Sequence, residues 1–189
     1  SYAEALFVEG RDGAQAGKEY ALTNHKNVLL RAHIDDGGFL AVYGIDHNNT
    51  YGTTVYKKGA DIARTLRGYL GDSAFFALMK LWFAQNAFTS KTTLEFQDFL
   101  SANSGIDMAP FFNNWVFTPG FPHYSISELE INGFQATVTI DQNHLGSRFV
   151  GDANRVEVTF FESPTNFDTR LVEFDGQQGS ATFNLSFSP

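Results

Sequence analysis

Tyr56 is the residue whose type and position carry the strongest chemical signal in the chain. It stands in T-V-Y-K-K-G, residues 54–59, at the predicted start of a helix. A phenol there can donate a hydrogen bond to a reacting oxygen. Taken in isolation, the position favours an aromatic side chain that packs on the preceding loop. Also taken in isolation, Lys58 is predicted to be a solvated charge. Gly59 is predicted to be a position that another part of the backbone approaches closely.

Histidine spacing argues against a zinc site within this chain. A helix that binds zinc presents two histidines four positions apart on one face. The closest pair here, His25 and His33, is eight positions apart, and there is no Cys. Each histidine is therefore predicted to be solvated or hydrogen-bonded rather than a metal ligand. The remaining histidines are His47, His123 and His144.

Two other kinds of site find weak support. Asp46, Asn48 and Thr50 resemble the start of a calcium loop, but Tyr51 stands where that loop needs Gly and Lys57 where it needs Glu. A polar loop is the better interpretation. Spacing alone leaves a Ser/His/Asp triad open, although the chain has no G-x-S-x-G turn.

The first 120 residues show helical periodicity. Helices are predicted over residues 2–10, 14–34, 55–70, 74–87 and 93–103, with a last one after Asp107. Asp35-Asp36-Gly37-Gly38 ends the second, and Thr92 begins a capping box with Glu95. Residues 74–87 carry apolar side chains on more than one face, which predicts a buried helix.

The period changes from 3.6 to 2 at Thr118-Pro119-Gly120. Apolar and polar residues alternate over 134–141, 156–160 and 181–187, as in half-buried antiparallel strands. Residues 175–179 are predicted to form a hairpin turn between the last two strands. The predicted fold class is α+β in two domains: an all-α helical lobe over residues 1–120 and a small antiparallel β-sandwich over 121–189.

Bulk composition excludes several classes of protein. The formal net charge is −8, and no basic patch is present for a phosphate backbone, so nucleic-acid binding is not expected. No apolar run approaches the roughly 20 residues that span a bilayer. No signal peptide is visible either. The sequence predicts a soluble protein and leaves its compartment unknown.

Two blocks resemble a known family. T-V-Y-K-K-G-A-D-I-A-R-T-L-R-G-Y-L-G-D, residues 54–72, and F-F-N-N-W-V-F-T-P-G-F-P, residues 111–122, are similar to the second half of the catalytic domain of M1-family zinc aminopeptidases, or gluzincins. Over residues 1–124 the resemblance lies in the sequence pattern itself. For the remaining residues it lies only in the order of the domains, a helical lobe followed by a β-sandwich. That family binds its metal through H-E-x-x-H and a later Glu, both N-terminal to these blocks. The chain has neither.

The resemblance also implies roles for three residues. In the family, the Tyr of Y-x-K-G stabilises the oxyanion opposite the zinc, which makes Tyr56 the catalytic candidate; such a donor lowers a barrier by about 2.7–4 kcal/mol. Lys58 completes the motif and, like Glu4, would support the site without contacting the reacting atoms. Ser1-Tyr2-Ala3-Glu4 is similar to the residues just after E-G-F-A, whose Glu is the third zinc ligand. Glu4 would then support the metal site from behind its ligands, although a solvated helix Glu fits equally well.

The resemblance implies a fragment of an aminopeptidase that hydrolyses N-terminal residues from peptides. Zinc would belong to the full-length parent and none to this chain, which would be inactive without the missing N-terminal and metal-bearing domains. An exposed face of the helical lobe predicts a homo-oligomer, and the short β region predicts an unpaired sheet edge.

Two alternatives from other classes stay open. The first is a non-catalytic binding or scaffold module derived from an M1-like fold. The second is an unrelated helical domain fused to an Ig-like adhesion module. A Tyr56 buried far from any cleft would favour the second.

Overall fold

The computed structural model describes all 189 residues. They form two compact units, Ser1–Gly120 and Phe121–Pro189. The first unit is built from helices and the second from strands, so the chain is α+β as predicted. None of the helices combines the length and the apolar character that crossing a membrane requires.

Seven α-helices and three π-helical turns make up the first unit. The helices are α1 (Tyr2–Asp12), α2 (Ala14–Asn27), α3 (His33–Asp35), α4 (Gly59–Leu70), α5 (Asp72–Gln85), α6 (Thr93–Ser104) and α7 (Ala109–Phe112). The π-helical turns are Val28–Ala32, Thr54–Lys58 and Asn113–Phe117, and a short 3-10 turn covers His47–Asn49. The predicted helices 14–34 and 55–70 therefore each contain a wider turn that apolar spacing did not show.

Local capping chemistry sets several helix ends. The Thr92 hydroxyl accepts from the Glu95 amide at 3.2 Å, and the Glu95 carboxylate accepts from the Thr92 amide at 2.8 Å, which confirms the predicted capping box. Gly13, with φ of 94°, and Gly71, with φ of 79°, end α1 and α4. Only glycine adopts such values at no steric cost.

The helical core lies between α4, α5, α6 and α7. Its most buried members are Leu100, Met108 and Phe111. The prediction of a fully buried α5 is wrong, because Phe76 is 42% exposed and Phe83 is 68% exposed. Within this unit no element covers that face of the helix, so its aromatic side chains reach solvent.

Five strands form two small sheets that face each other. The strands are β1 (Phe121–Asn132), β2 (Gln135–Leu145), β3 (Asn154–Phe161), β4 (Phe167–Phe174) and β5 (Gln178–Asn184). One sheet has the order β1-β2-β5 and the other pairs β3 with β4, with every neighbouring pair antiparallel. Val138 and Ile140 of β2 pack in one core with Val158 of β3 and Val172 of β4. The unit is therefore a β-sandwich.

The predicted hairpin at residues 175–179 is wrong in its pairing. The turn does connect β4 to β5, but β4 pairs with β3, whereas β5 pairs with β2. It is thus a crossover between the two sheets. Gly179 lies against the side chain of Phe174 so closely that a Cβ there would overlap it, so this crossover has no room for a side chain at residue 179.

An apolar row on β1 remains uncovered. Ile126, Leu129 and Ile131 lie opposite Ile140, Val138 and Ala136 in the ladder, and directly opposed residues share a face of the sheet. The β2 residues are buried in the sandwich core, yet the three β1 side chains are 41–56% exposed. The two-stranded sheet does not reach over them. β1 and β5 are the outer strands of one sheet, and β3 and β4 have only each other as neighbours. Any open sheet has such edges, so the edge expected from a short β region stays a prediction.

Candidate active site

Tyr56 lies in the π-helical turn Thr54–Lys58, directly before α4. The amide of Gly59 donates to the carbonyl of Thr54 and so closes the wide turn. The Tyr56 side chain is 46% exposed. Its ring stacks on Tyr51, with the ring centroids 6.5 Å apart and the planes at 25°. The phenol is thus held on one side by an aromatic neighbour and open to solvent on the other.

An open cleft of about 380 Å³ lies in front of this phenol. Tyr51, Gly52 and Thr53 form one side, and Tyr56 and Lys57 form another. The start of α1 closes it with Ser1 and Glu4. The structure therefore brings Tyr56 and Glu4, more than fifty positions apart in sequence, into one cleft. The adhesion-module alternative loses its support, because Tyr56 is neither buried nor far from a cleft.

Glu4 presents an ionised carboxylate to this cleft. Tyr20 Oη donates to the carboxylate at 3.4 Å. The carboxylate is 63% exposed, so it is solvated as well as partnered.

Lys58 lies on the other side of the turn and does not line the cleft. Its residue is 4% exposed, and Nζ donates to the Leu40 carbonyl at 2.7 Å. Burial lowers its pKa to about 8. The interpretation of Lys58 as a solvated charge is wrong, because two positions along a helix rotate a side chain to roughly the opposite face. The expected close approach at Gly59 is also wrong, since a Cβ there would meet nothing within 4 Å.

Lys57 is the lysine that faces the cleft, and sequence reasoning missed it. It is one position from Tyr56, which corresponds to about 100° of rotation and leaves both side chains on adjoining faces. That rotation angle was the signal from which the sequence could have predicted that Lys57 lies beside Tyr56. Tyr51, which is 82% exposed, was missed for a different reason: it lies in a loop, where spacing gives no direction.

An arginine joins the helix of Glu4 to the helix that follows Tyr56. Arg67 of α4 donates to both carboxylate oxygens of Glu9 in α1, at 2.7 and 2.9 Å. It also donates to both oxygens of Asp72, at 2.8 and 2.7 Å. The arginine lowers the pKa of each carboxyl. These forked, charge-assisted bonds have fixed geometry, so they set the position of α1 against α4.

The residues of this chain do not fit a zinc ion. No group of three His, Cys, Asp or Glu side chains lies close enough to hold one. His25 bonds to Asp61 at 2.7 Å, and His33 stacks on Phe39 with the ring centroids 4.6 Å apart. The donor set that the metal chemistry of a gluzincin needs is therefore not supplied by these residues.

Comparison with known proteins decides the family. The peptidase family M1 domain matches residues 3–115, which is more than half of the chain. The chain belongs to peptidase family M1. The matched range of this M1 chain includes both Glu4 and the turn of Tyr56, and the predicted resemblance is confirmed.

Similar proteins of this family are aminopeptidases. Aminopeptidase N of Lactococcus lactis is 32% identical over 101 residues, which are 51% of the M1 chain and 12% of that protein. Aminopeptidase N of Escherichia coli K12 is 30% identical over 99 residues, 52% of the chain and 11% of that protein. The M1 chain thus spans about one eighth of the length of these relatives.

A solved structure shares the fold. The aminopeptidase A of Legionella pneumophila, solved in complex with aspartic acid, aligns with a TM-score of 0.67 at 20% sequence identity. The match covers 97% of the M1 chain and 20% of that protein. It extends over the helical unit and the β-sandwich, and it confirms the α+β fold.

Proposed function

We propose that this chain forms one wall of the substrate cleft in a longer aminopeptidase that removes N-terminal residues from peptides. Membership of family M1 and the similarity to aminopeptidase N support this proposal. The observation that carries it is the placement of Tyr56, whose half-exposed phenol lines an open cleft together with Glu4. The peptide substrate and the remaining domains of the longer protein are its proposed partners.

Tyr56 would donate a hydrogen bond to the substrate carbonyl oxygen as negative charge develops there. A preorganised donor is effective because it does not have to reorient during the reaction. Two observations support preorganisation of the phenol: its ring stacks on Tyr51, and its backbone begins a helix. Loss of one such donor costs about 10²–10³ in kcat.

Glu4 and Lys58 would act at a distance from the reacting atoms. Glu4 contributes negative charge at the cleft edge, where it would support the metal site of the longer protein from behind its ligands. Lys58 fixes the Tyr56 turn from its buried side through the Leu40 carbonyl. Zinc supplies Lewis acidity in the gluzincin family. Its ligands would lie in another part of the longer protein, because the residues present here do not form a site.

Conservative replacement of Tyr56 in the longer protein tests the proposal. Tyr56→Phe removes the hydroxyl and keeps the ring, so kcat should fall about 10²–10³-fold while folding is unchanged. Tyr43→Phe is the matched control, because Tyr43 is similarly exposed, at 48%, and does not line the cleft. Full activity in Tyr56→Phe would refute the catalytic role.

The isolated chain gives a second test. We expect it to show no peptidase activity and to retain no stoichiometric zinc after dialysis. Metal analysis that finds about one zinc per chain would contradict this part of the proposal.

A non-catalytic binding or scaffold module is the competing proposal. The residues encoded ahead of Ser1 separate the two proposals. An intact H-E-x-x-H there favours the enzyme, and a degraded one favours the scaffold.

A further inference from the structure

We propose that Asp36 is a positioning residue that fixes the direction of the Tyr56 turn. Asp36 follows α3, and its carboxylate reaches residues 17 and 18 positions further along the chain. Oδ1 accepts from the amide of Thr53 at 3.0 Å, and Oδ2 accepts from the amide of Thr54 at 2.5 Å. The first amides of a helix lack partners within it, so the carboxylate binds both where they would otherwise be free.

Close packing around Gly52 shows that this contact is built into the fold. A Cβ at residue 52 would lie 2.6 Å from Oδ1 of Asp36 and 3.0 Å from the carbonyl of Asn49. The first distance is shorter than real Cβ atoms show and the second is tight, so a side chain at residue 52 would displace the Asp36 carboxylate from this position. Gly52 in turn accepts from the Tyr56 amide at 3.2 Å through its carbonyl. Gly52 therefore connects Asp36, which lies against it, to the backbone of Tyr56.

A second side chain holds the turn just after Tyr56. Asn24 of α2 is 8% exposed, and its Nδ2 donates to the carbonyl of Lys57 at 2.9 Å. The backbone is thus bonded from outside at two and three positions before the phenol and at one position after it. A π-helical turn is rare, and a regular α-helical turn is its common alternative. We infer that these outside bonds select the wider turn and, with it, the direction of Tyr56.

The carboxylate is suited to this task. Asp36 is partly buried, which by itself raises its pKa, but the bonds from Thr54 and Thr53 outweigh burial and leave the pKa below its ordinary value. The group is therefore ionised at neutral pH. Hydrogen bonds to an ionised acceptor are about twice as strong as neutral ones.

The structural test uses the 189-residue chain and does not depend on peptidase activity. NMR would follow amide hydrogen exchange at Thr53 and Thr54, and the ring contacts between Tyr51 and Tyr56. In Asp36→Ala we expect at least tenfold faster exchange and loss of the ring contacts. In Asp36→Asn we expect an intermediate result, because the amide oxygen can still accept one bond. Asn also serves as the variant that folds if Ala does not.

Asp46→Asn is the matched control. Its carboxylate also accepts from a backbone amide, that of Asn48 at 2.9 Å, but in the neighbouring turn. It should leave the Tyr51–Tyr56 contacts unchanged. Unchanged Tyr56 ring signals in both Asp36 variants would overturn the inference, since Asp36 would then act on local stability alone.

A kinetic test in the longer protein rests on the proposed function. Asp36→Asn should lower kcat at least tenfold with little change in KM, and it should lower kcat less than twofold further once Tyr56 is already Phe. An equal effect of Asp36→Asn in both backgrounds would show that it does not act through Tyr56. If Tyr56→Phe alone proves harmless, the proposed function fails, and the NMR result still decides the positioning role.

Discussion

The buried amine of Lys58 should make the stability of the helical unit rise with pH. Burial lowers the pKa of Lys58 from 10.5 to about 8. The unfolded chain therefore holds more protons than the folded chain between these two values, and stability rises with pH wherever that is so. At about 1.4 kcal/mol per pKa unit, the free energy of unfolding should gain about 3 kcal/mol from pH 8 to 10.5.

Lys58→Met isolates this contribution, because methionine keeps much of the apolar stem and cannot be charged. At pH 7 the variant escapes the cost of burying an ammonium group. It also leaves the Leu40 carbonyl without its 2.7 Å partner, which costs about 1–3 kcal/mol. The two effects nearly cancel, so absolute stability at one pH decides little. The difference between wild type and variant across pH is the informative quantity, and it should change by about 3 kcal/mol in favour of wild type.

Urea unfolding followed by tryptophan fluorescence measures this difference. Trp82 and Trp115 both lie in the helical unit, so the signal reports on the part of the chain that contains Lys58. Titrating groups common to both proteins cancel in the comparison. Lys80→Met, at an exposed lysine, should give a curve parallel to wild type. If Lys58→Met is also parallel to wild type from pH 7.5 to 10.5, the reasoning from burial is refuted.

Three further outcomes are expected. Arg67→Ala should lower the free energy of unfolding by about 2–3 kcal/mol, because two carboxylates lose a charged partner; a urea midpoint close to that of wild type would contradict this. Asp61 raises the pKa of His25 through a hydrogen bond, so this stabilisation is complete below pH 6.5 and is lost as the pH rises through the higher folded-state value. The side chain of His25 is 48% exposed, which keeps the effect under about 1 kcal/mol, and the stability difference between wild type and His25→Gln should shrink from pH 5.5 to 8.5. Phe83→Ser should reduce self-association in light scattering, since Phe83 is 68% exposed; a wild-type monomer at high concentration would count against it.

Local chemistry made much of the helical unit predictable. Thr92 and Glu95 mark a helix start by side-chain bonds that involve only neighbours in sequence, and the structure forms those bonds.

The β-sandwich was predictable in a different and weaker way. Alternation gives the face that each strand residue occupies, but it does not give the partner strand. For this reason β4 and β5 read as a hairpin, although they belong to different sheets.

The candidate site shows the same limit. Tyr56 was found from a short motif that needs no tertiary information. Asp36 was interpreted only as part of a helix stop, because its bonds run to Thr53 and Thr54, far outside any local window. The difference between Lys57 and Lys58 depends on the rotation of the turn, which the motif does not contain.

The three π-helical turns share a backbone shape but differ in what surrounds them. All three have a buried face, at Val28, Lys58 and Val116, and each also leaves a side chain in solvent, at Leu30, Tyr56 and Asn113. The turn at Thr54–Lys58 makes polar bonds to side chains and carbonyls outside it. Polar bonds from α2, from the end of α3 and to Leu40 all hold this short turn. A helix start that served only packing would not need so many fixed bonds behind a phenol left in solvent. That asymmetry is what we expect of a side chain held still to meet a substrate.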